Sequence, residues 1–340
     1  MKAVRLYAVG DLRVEDIVPP PTPGSGEVRI AVTAAGICGS DLHNFRTGAW
    51  ISRSPSVAGH EFAGRVVAIG DGVAGLKVGD AVVADSRVTC GVCPACRDGR
   101  PNVCEKLGFV GEVCEGGFAE EVVLPASQLV KAPAGVDPAA LAMAEPLAVA
   151  LHAVRRLAVP AGSPVLIAGC GPIGGLAALV LAERHDGPLV VADRNADRAR
   201  RVAEVTGARI VDLTTEAVGE VLAGVPLLAV LDATGHPGVI GTLLDLVSPG
   251  GTLALVDQRA AKLDHAIDDA HVDQHRRSPG LMFEFRDNRR ANRVVRRAGA
   301  AAVRIASLLD LRQQGAQDVG TRDDAQSVAV GDRKPAHVAL

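Results

Sequence analysis

Pro164-Val165-Leu166-Ile167-Ala168-Gly169-Cys170-Gly171-Pro172-Ile173-Gly174 is an apolar run that gives way at once to a glycine fingerprint. A short continuous run of this kind suits a strand buried on both faces. An Ala/Leu-rich helical stretch follows, from Gly175 to about Arg184. In Gly169-x-Gly171-x-x-Gly174 the first glycine permits a tight turn and the second lets backbone approach a pyrophosphate. The third lets helix and strand pack closely, and Pro172 and Ile173 open the helix whose N-terminus faces the phosphates. Leu189–Ala192 reads as the next strand, with Asp193 at its end, 19 residues past Gly174, and Arg194 beside it. A carboxylate there grips a ribose 2′-hydroxyl and repels a 2′-phosphate, so NAD is expected over NADP.

Outward from this unit the alternation continues. Asn195 to about Val205 is a charged helix, and Ile210-Val211, Leu227–Leu231 and Thr252–Val256 extend the strand series. Strands alternating with helices predict a parallel sheet covered on both faces. Before about Pro146 the pattern differs. Glu27–Val32 and Arg65–Ile69 are short, β-branched and punctuated by glycine, and Pro19–Gly24 is a loop. A β-rich domain therefore precedes the α/β one.

Seven cysteines occur in 340 residues, and Cys90, Cys93, Cys96 and Cys104 are crowded within 15 of them. Four thiolates at that spacing wrap one tetrahedral Zn²⁺ and close its shell, so this site is expected to be structural. A second set is dispersed: Cys38 in Cys38-Gly39-Ser40-Asp41-Leu42-His43, then Gly59-His60-Glu61, and much later Glu145. Cys, His and Glu are competent zinc ligands, and three of them leave a position open for substrate. Each also has a plain structural reading. Cys38 suits a core, His60 a loop, and Glu145 a helix start beside Pro146 at the first helical position. Spacing alone leaves this joint site open.

Hydrophobic residues make up 48% and charged residues 22%, with net charge −3, which argues against a nucleic-acid or anionic-membrane surface. No apolar run reaches about 18 residues, and Met1–Gly10 has no secretory h-region. A cytoplasmic protein without a membrane partner is expected.

These motifs together resemble the zinc-dependent medium-chain dehydrogenase/reductase family, over about residues 1 to 256. Met143-Ala144-Glu145-Pro146-Leu147-Ala148-Val149-Ala150-Leu151-His152-Ala153 and Asp232-Ala233-Thr234-Gly235-His236-Pro237 are similar to its polyol branch, which includes sorbitol dehydrogenase and L-idonate 5-dehydrogenase. The resemblance implies a GroES-like catalytic domain (1–148, with a zinc lobe at about 88–106) and a Rossmann NAD-binding domain (149–275). An atypical segment (276–340) is expected to return to the catalytic domain. It implies two zinc ions per chain, NAD, and a homo-oligomer, a dimer or tetramer. The implied activity is oxidation of a secondary alcohol of a polyol or sugar acid to the ketone. Cys38 and His60 bind the catalytic zinc, and Glu61 or Glu145 supplies the carboxylate. By the same resemblance Ser40 is expected to receive the substrate proton and His43, as in some members, to pass it towards solvent through the cofactor ribose. Two alternatives are a dehydrogenase of an amino alcohol or aminocyclitol, and a non-catalytic homologue that binds zinc and NAD.

The sequence departs from the family twice. Asn44 follows His43 where polyol relatives often place Tyr, leaving Phe45 and Trp50 as candidates to replace that aromatic wall. Residues 257–340 hold 13 Arg, 11 Asp and a single Glu, Glu284. That composition resembles a GC-rich gene translated out of register from near residue 257, and the alternative is a divergent but folded C-terminus.

Overall fold

A computed structural model of the chain describes residues 1–213, 218–256 and 337–339. The expectations attached to residues 257–336 lie outside the described residues. The chain divides into two compact units, one built on Met1–Glu145 and one beginning at Pro146.

In the first unit β1 (Lys2–Ala8) pairs antiparallel with β2 (Asp11–Asp16), and the Pro-rich loop leads to β3 (Glu27–Gly36). Then come α1 (Gly39–Thr47), β4 (Ser56–Val57), β5 (Glu61–Ile69), β6 (Ala81–Ala84) and β7 (Arg87–Val88). α2 (Pro94–Arg97), β8 (Gly108–Phe109), β9 (Glu121–Pro125), β10 (Leu129–Lys131) and α3 (Pro138–Ala142) complete it. The larger sheet runs β10-β6-β5-β3, with β9 antiparallel to the first half of β3 and the strand His337–Ala339 parallel to its last three residues. Side chains of β3 alternate inward, and Val28 and Ile30 meet Val66, Val82 and Leu124 in the core. β3 and β5 are both longer than the sequence predicts. The added residues, Thr33-Ala34-Ala35-Gly36 and Glu61 to Gly64, are mostly small and carry no apolar alternation. Small side chains are required there, since a Cβ on Gly64 would overlap the Ala31 carbonyl and the Ile30 side chain on β3.

β7 and β8 pair to close the base of the cysteine lobe. Val92 within it is 65% exposed, so the lobe has little apolar burial with which to hold itself together.

α4 (Ala144–Leu157) starts two residues before Pro146, which therefore stands third in the helix rather than first. In the second unit follow β11 (Val165–Ala168), α5 (Pro172–Arg184), β12 (Leu189–Ala192) and α6 (Ala196–Thr206). β13 (Arg209–Ile210), α7 (Val218–Val221), β14 (Ala229–Asp232), α8 (Ile240–Leu246) and β15 (Thr252–Leu255) end it. All five strands are parallel, in the order β13-β12-β11-β14-β15. Every residue of β11 is buried, as a strand covered on both faces requires. Strand order reverses at β11, so the crevice at its carboxyl end, where the glycine turn lies, is the expected ligand position. α6 is stopped cleanly at both ends. The Asn195 side chain accepts from the N–H groups of Asp197 and Arg198, and Gly207 closes the helix at φ +74°. Among the described residues, no helix is long and apolar enough to cross a membrane.

The three fingerprint glycines have separate causes. Gly169 has φ +91°, and a Cβ on it would lie 2.7 Å from the Ala233 backbone. A Cβ on Gly174 would overlap the Gly169 carbonyl oxygen. Gly171 has φ −70° and its Cβ would meet nothing within 4 Å. Calorimetric unfolding of two variants should separate these roles. Gly174→Ala is expected to lose about 1–3 kcal/mol of stability by overpacking, whereas Gly171→Ala should stay within about 0.5 kcal/mol of the parent. Titration with NADH should show weakened binding in Gly171→Ala despite its intact fold.

Candidate active site

The first site is assembled by pairing of β3 with β5. In that register Gly36 lies opposite Glu61. Cys38 follows two residues past β3 at the start of α1, and His60 immediately precedes β5. Gly36 has a specific reason to be glycine, because a Cβ there would sit 2.6 Å from the Glu61 carboxylate. The ligand atoms of Cys38, His60 and Glu61 all lie within 4.8 Å of one another. His60 and Glu61 are each 8% exposed.

Asp41 belongs to the same group. One carboxylate oxygen accepts the Cys38 backbone N–H at 2.8 Å, and the other lies 3.8 Å from His60 Nδ1. The sequence reading assigned it no role, although an acid three residues after a helix-capping position is a recognisable signal. Glu145, in the first turn of α4, accepts the Ser86 hydroxyl at 3.2 Å. It stands outside the three-ligand group, yet its charge acts on both His60 and Glu61. Ser86 was also missed, and no local pattern marks it.

The electrostatics are those of a buried acidic cluster. Burial pushes Glu61 up to about 7, with the neighbouring Glu145 charge adding to the rise. Burial likewise raises Asp41 and Glu145 above the usual carboxylate range. For His60 burial opposes the charged form, but the hydrogen bond with Cys38 and the charges of Asp41, Cys38 and Glu145 override it, to about 10. The buried Glu61, the partly buried Asp41 and Glu145, and a thiol around one imidazole fit a divalent cation, which reverses the penalty each of them faces. Ser40 and His43 stand one turn apart on α1, the helix that starts at Cys38. The His43 ring lies 4.9 Å from that of Trp50.

The second cluster is the lobe. The sulfurs of Cys90, Cys93, Cys96 and Cys104 fall within the same 4.8 Å limit. Backbone N–H groups point at them: Cys90 N–H and Lys106 N–H to Cys104 Sγ, both at 3.3 Å, and Cys93 N–H to Cys90 Sγ at 3.4 Å. The N–H groups of Val92 and Cys93 draw the Cys90 thiol down to about 6. Burial and the adjacent sulfurs push Cys96 up to about 12. Four thiolates share this volume only with a cation between them, and four soft ligands with no open position fit a closed Zn²⁺ shell.

In the second unit Asp193 stands at the end of β12, half-buried. Its Oδ2 accepts the Cys170 N–H at 2.6 Å and its Oδ1 accepts the Asn195 N–H at 2.7 Å. Arg194 is exposed. The room left over Gly171, which no side chain among the described residues fills, fits the approach of a dinucleotide pyrophosphate.

Residues 24–134 match the alcohol dehydrogenase GroES-like domain. The chain is 36% identical to L-galactonate-5-dehydrogenase of Escherichia coli (strain K12) over 255 residues, 74% of each chain. It is 35% identical to L-threonine 3-dehydrogenase of Stenotrophomonas maltophilia (strain K279a) over 263 residues, 75% of this chain and 77% of that one. Among solved structures it is similar to a putative zinc-binding dehydrogenase from Sinorhizobium meliloti 1021 bound to NADP. That match has 32% identity and a TM-score of 0.79, and covers 88% of this chain and 89% of the other. With a GroES-like unit, an all-parallel Rossmann-like sheet and these relatives, the chain belongs to the zinc-binding medium-chain dehydrogenases of the polyol type and is an oxidoreductase.

Proposed function

We propose that this protein oxidises a secondary alcohol of a polyol or sugar acid to the ketone, using NAD, at a zinc site formed by Cys38, His60 and Glu61. The observation that supports it most is the convergence of those three ligand atoms within 4.8 Å. A thiolate, a neutral imidazole and a carboxylate balance a +2 ion and leave one position open for a hydroxyl. Bound zinc would supply Lewis acidity to that hydroxyl, and bound NAD the acceptor for the carbinol hydride. The protein's own residues do the rest. Asp41 faces His60 Nδ1 and orients the imidazole. Ser40 takes the hydroxyl proton and His43 passes it towards solvent. Glu145, held by Ser86, adjusts the charge of the cluster from outside the ligand set. Cys90, Cys93, Cys96 and Cys104 hold a second, structural zinc. Asp193, beside the glycine turn, favours a ribose 2′-hydroxyl over a 2′-phosphate. By family resemblance the working enzyme is a dimer or tetramer.

The decisive experiment is zinc analysis of the purified chain with an NAD-reduction screen over polyols, aldonates and amino alcohols. The reading expects two zincs and activity on a polyol or aldonate. Activity confined to amino alcohols would move the substrate class towards the second reading, which similarity to an L-threonine 3-dehydrogenase supports.

Cys38→Ser and His60→Ala should each cut turnover at least about a thousandfold, since several kcal/mol of Lewis-acid stabilisation is lost. NADH binding in both should stay nearly unchanged, and full turnover in either would refute the site. Zinc content separates the two glutamates: Glu61→Gln should lose one equivalent, while Glu145→Gln should keep both and lose rate.

Cys96→Ser should lose the other equivalent and show a lower melting temperature and soluble yield. A stable variant with one zinc would contradict the structural role of the lobe. Asp193→Ala should raise the NADP to NAD ratio of kcat/KM by about tenfold or more, the scale of one short-range charge interaction; an unchanged ratio means that Asp193 does not select the cofactor.

A further inference from the structure

His43 is braced by an aromatic ring that lies outside its own helix. The His43 and Trp50 ring centroids are 4.9 Å apart with planes at 47°, a tilted contact of the kind aromatic pairs favour. Trp50 is the chain's sole tryptophan, and it stands in the loop beyond α1. That loop is tied back onto the helix by Asn44. The Asn44 side-chain oxygen accepts the Trp50 backbone N–H at 2.9 Å, and its backbone carbonyl accepts the Gly48 N–H at 2.8 Å. Asn44 is only 9% exposed, so its amide serves the fold rather than the solvent. On the far side, the Ser52 hydroxyl donates to the Glu112 carbonyl at 2.7 Å. Gly48 adopts φ +68°, and a Cβ on it would lie 2.9 Å from Val9. The loop therefore has one course, and Trp50 is delivered to His43 by backbone constraints rather than by chance contact.

We propose that Asn44 and Trp50 are positioning residues for His43. The amide fixes the loop, and the indole holds the imidazole in one rotamer on the path that carries the substrate proton to solvent. The step is a proton shift only. The substrate hydroxyl gives its proton to Ser40 Oγ, Ser40 releases its own into the path on which His43 is the next protein residue, and His43 hands it to solvent. An imidazole on an unbraced side chain would sample several rotamers and spend less time in the one that serves the proton path. This proposal rests on the reading of Ser40 and His43 as the proton path.

The test compares Trp50→Leu, Trp50→Phe and His43→Gln in the zinc-loaded enzyme, with the alcohol that the screen identifies. Trp50→Leu should lower kcat about tenfold, a fraction of what general acid–base catalysis contributes, with KM little changed. Trp50→Phe should recover most of that loss, because a flat ring is restored. Free imidazole added as an external base should partly rescue Trp50→Leu and His43→Gln without speeding the parent enzyme. A second readout needs no turnover: an imidazole in ring contact quenches indole emission, so His43→Gln should brighten Trp50. Wild-type kcat in Trp50→Leu beside a slow His43→Gln overturns the brace and leaves the proton path standing. Full kcat in His43→Gln overturns both, and unchanged emission in His43→Gln overturns the ring contact on which the brace depends.

Discussion

The register of β3 against β5 is the constraint on which the site depends. Gly36 opposite Glu61 is one rung of that ladder. It brings the end of one strand, with Cys38 just beyond, against the start of another, with His60 just before. A slip of one residue would turn Glu61 to the opposite face of the sheet and separate the ligands. Register here is held by the core below, where Val28, Ile30 and Val66 interlock, and by small residues where the backbones crowd. Gly36 and Gly64 are both places where a Cβ would collide across the pair. Geometry for chemistry is thus specified by packing several residues away from it.

The two clusters use opposite strategies. The lobe has almost no apolar interior, and its sulfurs are arranged by turns and by N–H groups contributed within about one loop's length of chain. On the proposed reading such a segment gains its order from the ion, so binding and folding are one process there. The Cys38, His60 and Glu61 group sits on a sheet that has its own core. It bears the cost of burying Asp41, Glu61 and Glu145 together, which burial alone drives towards their neutral forms. A cluster that disfavours its own charges is a poor stabiliser and a good cation site.

This division explains what the sequence could disclose. The glycine turn and the lobe were legible because each is local. Three glycines follow one strand, and four cysteines span a single loop, so spacing alone constrains their geometry. The strand Leu189–Ala192 and the helix beginning near Asn195 were legible for the same reason. The dispersed site was not, because Cys38 and His60 meet only through strand pairing, and Glu145 arrives from a helix far along the chain. Resemblance to a family, not periodicity, joined them. Asp41 lay in plain view with a capping spacing and went unassigned. Ser86 could not have been found, since only the fold brings it to Glu145. The ends of β3 and β5 were missed because alanine and glycine carry no alternating signal, although those small residues are what the crowded register demands.

Asp193 shows how one residue can serve fold and ligand together. A carboxylate offers about four acceptor positions, and two are engaged by the N–H groups of Cys170 and Asn195. The charge is therefore fixed beside the glycine turn before any nucleotide arrives, and the remaining lone pairs are aimed rather than searching. On the proposed reading this decides between cofactors. A 2′-phosphate brought near a fixed carboxylate meets a repulsion of order 4 kcal/mol at about 4 Å and an effective dielectric near 20. The exposed Arg194 next door would return at most about 1 kcal/mol, the scale of a solvated ion pair. The fixed anion outweighs the mobile cation, so on the proposed reading the preference of this chain follows the charge at the end of β12, although a relative of the same fold is bound to NADP.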